Sequence, residues 1–131
     1  MRADGIAVDV GLMSSAAREL NIGFFLRIER GRPWVRVKLA TTLDGRTAPA
    51  DGSRLTITSA AAQRDGHRWR ARASAILTGI DTIIADDPQL TVRLDVPHAA
   101  PLRVIADTRL RTPPTARLLH DAASRVLIVC G

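Results

Sequence analysis

The chain has 131 residues, ordinary apolar and charged content and a formal net charge of +6. That length suits one domain burying about two-thirds of its unfolded surface, and no window holds the ~18 consecutive apolar residues of a membrane span. The single cysteine, Cys130, excludes an internal disulfide and a multi-cysteine zinc site and fits a cytoplasmic protein.

From the N-terminus, Met1 to Val10 lacks a basic start followed by a long apolar core, so no signal peptide is expected. Ser14 or Ser15 is expected to cap a helix through Ala16, Ala17, Arg18, Glu19 and Leu20. Asn21-Ile22-Gly23 interrupts it, and a second helical turn carrying Phe24, Phe25 and Ile28 ends at Gly31. Arg32-Pro33 marks a boundary, because the residue before proline is pushed out of the helical region. Trp34, Arg36 and Lys38 then alternate with Val35, Val37 and Leu39, which predicts a strand with one apolar face. Leu43-Asp44-Gly45-Arg46 and Asp51-Gly52-Ser53 read as turns.

Ser59 is expected to cap a helix from Ala60 to about Ala73, with Ala62, Gly66, Trp69 and Ala73 on a core-facing stripe. Arg64, Arg68 and Arg72 form a solvated face. Arg70 lies about 200° from Arg68 on the helical wheel, on the flank of the buried stripe, where it could reach into a cleft. Ala75-Ile76-Leu77-Thr78 is a short buried strand ending at Gly79, and Thr82 to Ala85 a helical turn. Leu102 to Asp107 and Val126 to Val129 are two further apolar strands, separated by the breaker Pro113-Pro114. Strands alternating with helices predict an α/β fold with an at least partly parallel sheet.

The positive charge raises the question of nucleic acid. The arginines run from Arg2 to Arg125 without a cluster, there is no tyrosine, and Phe24, Phe25, Trp34 and Trp69 are too few for a stacking platform. No nucleic-acid or membrane partner is expected; a cleft for a polyanionic small molecule would use the same charge. No two glycines are separated by a single residue, which excludes a G-x-G-x-x-G loop, and neither a Walker A motif nor a G-x-S-x-G elbow is present. His67, His98 and His120 are too far apart for a sequence-local metal site, and His67, in an Arg-rich helix, reads as a surface residue. No metal is expected.

What remains suits polar, phosphorylated ligands. Lys38 is the one lysine among the nineteen Lys and Arg residues. It stands at a strand end, before a turn, and reads equally as a chance surface lysine or as a mobile point charge placed for use. Asp44 and Gly45 present backbone amides to a ligand or form an ordinary turn. Asp86-Asp87-Pro88 either caps backbone amides or sets a carboxylate on ribose hydroxyls. Lys38, Arg70 and Arg93 together would make a phosphate-binding cluster, although periodicity alone does not bring them together.

These segments carry a resemblance. Lys38-Leu39-Ala40 with Leu43-Asp44-Gly45-Arg46, Ile57-Thr58-Ser59, Arg64 to Ala71, Leu77-Thr78-Gly79, Thr82 and Ala85 to Arg93 are similar, in order, to the reductase domain of the bifunctional riboflavin-biosynthesis deaminase/reductase family. Ala17 to Phe25 resembles the tail of that family's deaminase domain. The resemblance implies a dihydrofolate-reductase-like α/β fold, a mostly parallel sheet flanked by helices, incomplete here. Residues 1–32 are expected to be a deaminase tail or linker and residues 33–131 the N-terminal half of the reductase.

It also implies NADPH-dependent reduction of 5-amino-6-(5-phosphoribosylamino)uracil to the ribitylamino compound. Hydride is delivered to C1 of the ribose in its ring-opened, imine-like form. By the same resemblance Lys38 acts at the ribosyl part of the substrate, while Arg70, Leu90 and Arg93 contact the substrate. Ala40, Thr56, Thr82, Asp86 and Thr108 line the cofactor site. Thr56 stands where the family usually carries a tryptophan, and Arg54, or Ser53 after a one-residue shift, where it usually carries a serine. No His-x-Glu or Pro-Cys-x-x-Cys element is present, so deaminase activity is not expected. The family's later Gly-rich segment is missing as well, so the chain reads as a fragment whose sheet leaves apolar area and an edge unprotected after Val129. The alternative to catalysis is a non-catalytic remnant that binds nucleotide, phosphate or another chain. Such a piece would pair as a homodimer or with a complementing chain.

Overall fold

The structure, a computed structural model, describes residues 1–53, 55–95, 97–122 and 125–131. They fall into two compact units, Met1–Lys38 and Leu39–Gly131. Arg54, opposite the family's serine, lies outside the described residues.

The first unit holds a short 3-10 turn at Arg2–Asp4 and two helices, α1 (Ser14–Leu20) and α2 (Ile22–Arg30). The residue capping α1 is Met13, in the left-handed region at φ 53, and no side chain accepts a cap hydrogen bond, so Ser14 begins the helix instead of capping it. Gly31 ends α2 at φ 65, a conformation that favours glycine. Arg18 joins the two helices: its Nη2 donates to both carboxylate oxygens of Glu29 at 2.8 Å, and its guanidinium lies 4.5 Å from the Phe25 ring centre.

The strand expected over residues 34–39 does not form. The segment is irregular and exposed through Leu39. Extended backbone loses conformational entropy without return unless a neighbouring strand supplies ladder hydrogen bonds, and none of the described residues pairs with it. Alternation therefore described the side chains without determining the backbone.

The second unit contains α3 (Ala60–Ala71), β1 (Ala75–Gly79), α4 (Ile80–Asp86), β2 (Leu102–Ala106), α5 (Arg117–His120) and β3 (Val126–Val129). Ser59 caps α3 as expected, its hydroxyl accepting from the Ala62 amide at 3.3 Å. The half-buried side of α3 is Gly66, His67, Trp69, Arg70 and Ala71, while Ala62 is exposed. The buried stripe is thus rotated from the expected one, because the segment after α4 packs along His67 and Arg70. The three strands form one parallel sheet in the order β1-β2-β3, with Leu77 opposite Val104 and Val104 opposite Leu127.

Strand alternation divides the sheet into two faces. One carries Ile76, Ile105, Val126 and Ile128, and packs with Ile80 and Ile83 of α4, Leu90, Ala116 and Leu118 into the core. Ile105 and Leu118 are fully buried, each contributing about 1.5–3 kcal/mol of transfer free energy. The opposite face is also apolar, yet Leu77 is 69%, Leu127 47% and Val129 51% exposed. Parallel sheets are normally covered on both faces, so the expected unprotected apolar area is present.

Candidate functional site

The residues between α4 and β2 approach α3. Arg70 Nη1 donates to the Thr91 carbonyl at 3.3 Å, and the Arg93 backbone N–H donates to His67 Nδ1 at 3.2 Å. Just before these two contacts, Leu90 is buried in the core with its backbone left-handed at φ 56. A non-glycine residue in that region costs about 1–3 kcal/mol and persists where its surroundings over-determine it. Arg70, Leu90 and Arg93 are thus brought together, with His67 as a fourth member. His67 is half-buried rather than a free surface residue. The expectation failed because the Arg93 amide is 26 residues away in sequence.

The electrostatics of the cluster favour an anion. Burial first, and the Arg93 charge second, push the Arg70 guanidinium below its ordinary value. Burial, then Arg70, then Arg93 hold His67 below its usual range, against a smaller opposing hydrogen bond to the Thr91 backbone. Two cations and an imidazole kept neutral in one place are relieved by a phosphate, which accepts several charge-assisted hydrogen bonds.

The Asp86-Asp87-Pro88 alternatives separate. Asp87 Oδ1 accepts from the Arg117 backbone N–H at 2.9 Å, which satisfies an amide at the start of α5. Asp86 is the last residue of α4 and is exposed. The Asp44-Gly45 alternatives separate too. The Gly45 N–H donates to the Thr42 carbonyl and the Thr42 N–H to the Arg46 carbonyl, both at 2.9 Å, so the turn closes on itself with Gly45 at φ 80. The Asp44 carboxylate accepts from the Thr42 hydroxyl and from Arg46 Nε; the Thr42 bond is the chief cause holding its pKa below the usual carboxylate range. An ordinary turn is the reading that these bonds support.

A second feature lies at the carboxyl ends of β1 and β2, where ligands of open α/β sheets usually sit. A cleft of about 220 Å³ is lined by Ile80, Asp81, Asp107, Thr108, Arg109 and Arg111. Its rigid wall is Asp107, 1% exposed, whose carboxylate accepts from the Arg111 N–H (3.0 Å), the Thr112 N–H (2.8 Å) and the Thr112 hydroxyl (2.7 Å). Burial pulls its pKa up, but those hydrogen bonds and the Arg111 charge outweigh it, leaving Asp107 below its ordinary value. Arg111 also pairs with Asp81 at 2.8 Å. Of the expected cofactor residues, Thr108 lines this cleft, and Thr82 and Asp86 lie on the adjoining α4. Ala40 is half-buried and Thr56 exposed, both in irregular segments outside the cleft lining. Lys38 is exposed and is the last residue of the first unit. Among the described residues no group of three His, Cys, Asp or Glu side chains could hold a metal, and no helix is long and apolar enough to cross a membrane.

Sequence reasoning missed Arg103, Asp107 and His67. A signal existed for Asp107, an acid directly after an apolar strand; for Arg103, inside a strand, there was none.

Residues 33–131 match the family described as the RibD C-terminal domain. The riboflavin biosynthesis protein RibD of Aquifex aeolicus is 40% identical over 129 residues, covering 98% of this chain and 36% of the relative. RibD of Mycobacterium tuberculosis is 42% identical over 132 residues, covering 98% and 39%. Among solved structures, Acinetobacter baumannii RibD superposes with a TM-score of 0.90 at 43% identity, over 99% of this chain and 38% of that one. A Thermotoga maritima diaminohydroxyphosphoribosylaminopyrimidine deaminase/5-amino-6-(5-phosphoribosylamino)uracil reductase gives 0.88 at 32% identity, over 98% and 36%. The fold is of the dihydrofolate-reductase-like α/β class. The chain spans well under half the length of these relatives.

Proposed function

The chain belongs to the RibD C-terminal domain family, and on that premise we propose that it acts in riboflavin biosynthesis in the NADPH-dependent reduction of 5-amino-6-(5-phosphoribosylamino)uracil. The observation that carries this reading is that Arg70 of α3 reaches the Leu90–Arg93 segment, so that two cations, Arg70 and Arg93, lie near each other. In this reading residues 33–131 are reductase and residues 1–32 the tail of a deaminase domain. The guanidinium groups of Arg70 and Arg93 hold the substrate's phosphate and polar groups, and Leu90 lies beside it with its side chain in the core. Lys38 contacts the ribosyl part, where its ammonium polarises the reacting centre.

In this reading the phosphates of NADPH meet the Thr108 hydroxyl and the Arg109 guanidinium at the cleft, whose other cation, Arg111, is paired with Asp81. Thr82 and Asp86 flank it on α4, and Ala40 and Thr56 complete the cofactor residues in this proposal. When bound, the cofactor supplies the hydride.

A second reading is binding of phosphate or nucleotide without turnover. It is favoured by the segment around Lys38, which joins no strand ladder among the described residues, and by the exposed apolar sheet face at Leu77, Leu127 and Val129. One experiment separates the two: NADPH oxidation with the ribosylaminouracil substrate, run beside calorimetric titration of each ligand. Saturable oxidation supports the reductase, binding without oxidation supports the second reading, and absence of both removes each.

A further inference from the structure

We propose that Arg103 is a positioning residue: its buried guanidinium fixes the segment Gln89–Arg93 and thereby the direction in which Arg93 is presented. The inference rests on the reading of that segment as part of a phosphate site.

Arg103 is 0% exposed, in the middle strand of the sheet, with Ile76 and Val126 as its register partners. A cation is costly there unless it is well bonded, and an aliphatic side chain would serve sheet packing at least as well. Among the described residues its side-chain bonds include contacts with two loops. Nη1 donates to the Gln89 carbonyl at 3.1 Å, Nη2 donates to the Asp121 carbonyl at 2.8 Å, and the Asp121 carboxylate lies 3.5 Å from Nη1.

Gln89 immediately precedes Leu90, whose left-handed backbone needs outside restraint. Arg103 holds the carbonyl before that residue, Arg70 the carbonyl after it, and His67 the amide of Arg93. Arg70 and His67 both belong to α3, so Arg103 alone of these three ties the segment to the sheet. Restraint from two elements fixes a direction that one helix, free to shift, would not.

The test compares R103M and R103K with the wild-type chain. Met keeps the aliphatic stem and removes the buried charge with its hydrogen bonds, so a purely structural account predicts a lowered melting temperature and nothing else. Positioning predicts two further changes. First, the affinity for ribose 5-phosphate falls on the order of ten- to a hundredfold, with partial rescue in R103K, whose ammonium reaches one carbonyl but not both. Second, the His67 titration, followed by NMR, moves up toward its ordinary value as Arg93 and the covering segment withdraw. Unchanged His67 titration and unchanged affinity in both variants overturn the proposal. If R103M does not fold, R103K decides: an upward shift of His67 supports the proposal and none overturns it. If the wild-type chain binds no ribose 5-phosphate, the phosphate-site reading fails, while the His67 titration still decides whether Arg103 fixes the segment.

Discussion

The backbone amide of Arg93 donates to Nδ1 of His67 at 3.2 Å, across 26 residues of sequence. That bond requires the ring to keep Nδ1 unprotonated, so it links the protonation of one imidazole to the anchoring of the segment that carries Leu90 and Arg93.

Stability is therefore expected to depend on pH through His67. Its folded pKa lies below the ordinary 6.5, chiefly through burial, then Arg70 and Arg93. The unfolded chain takes up the proton first as pH falls, so the stabilisation is fully present above 6.5 and is lost as pH drops through the folded value. Melting temperature should fall between pH 7.5 and 5.5, roughly one unit either side of the ordinary value. H67N, whose amide oxygen stands where Nδ1 does and accepts the same bond without titrating, should flatten that slope; an equal slope in H67N would remove His67 as its source.

Arg70 is expected to bind anion by charge and by reach. R70A should weaken ribose 5-phosphate binding about ten- to a hundredfold, since a hydrogen bond to a charged group is worth about 1.5–3 kcal/mol. R70K should recover part of the loss, because Lys keeps the charge and loses the fork. Isothermal titration at two salt concentrations checks both variants.

Lys38 is exposed, so K38A should leave the melting temperature within experimental scatter. In the reductase reading the same variant loses kcat/KM for the ribosylaminouracil. Full retention of kcat/KM would end the role assigned to Lys38.

Asp87 is expected to stabilise α5. D87A removes the acceptor of the Arg117 amide and should lower the unfolding free energy by about 1 kcal/mol. D87N keeps an acceptor and tolerates the left-handed backbone at φ 40, so it should lie within a few tenths of a kcal/mol of wild type. Urea denaturation of the two variants side by side makes the comparison.

Ile105 is fully buried in the middle strand. I105A should cost about 2–5 kcal/mol and I105V about 0.5–1.5 kcal/mol, read from urea midpoints at constant slope. Similar small losses in both would mean that the covered face is loosely packed.

Much of the second unit was legible because its signals are local. Ser59 caps α3, Asp44-Gly45 turns, and the runs at Ala75, Leu102 and Val126 become strands, each where short-range chemistry places it. Alternation failed at Trp34 to Leu39, since a strand exists only where another strand supplies its hydrogen bonds. The helix stripe was rotated from Ala62 toward His67 and Arg70 because the packing partner of α3 is a distant segment. Thr82, Asp86 and Thr108 were placed by resemblance, and α4 with the adjoining cleft is where they lie.

By itself the sequence determined α3, the three strands β1, β2 and β3, the turn at Gly45 and the membership in a family, all of which depend on residue type at short spacing. Tertiary structure alone decided that the buried Arg103 bonds the Gln89 carbonyl, that Asp87 accepts from the Arg117 amide at the start of α5, and that His67 meets Arg93. The physical reason is shared. Each of these bonds closes a loop of more than ten residues, and its formation depends on where the sheet and α3 bring the backbone, which no local periodicity encodes.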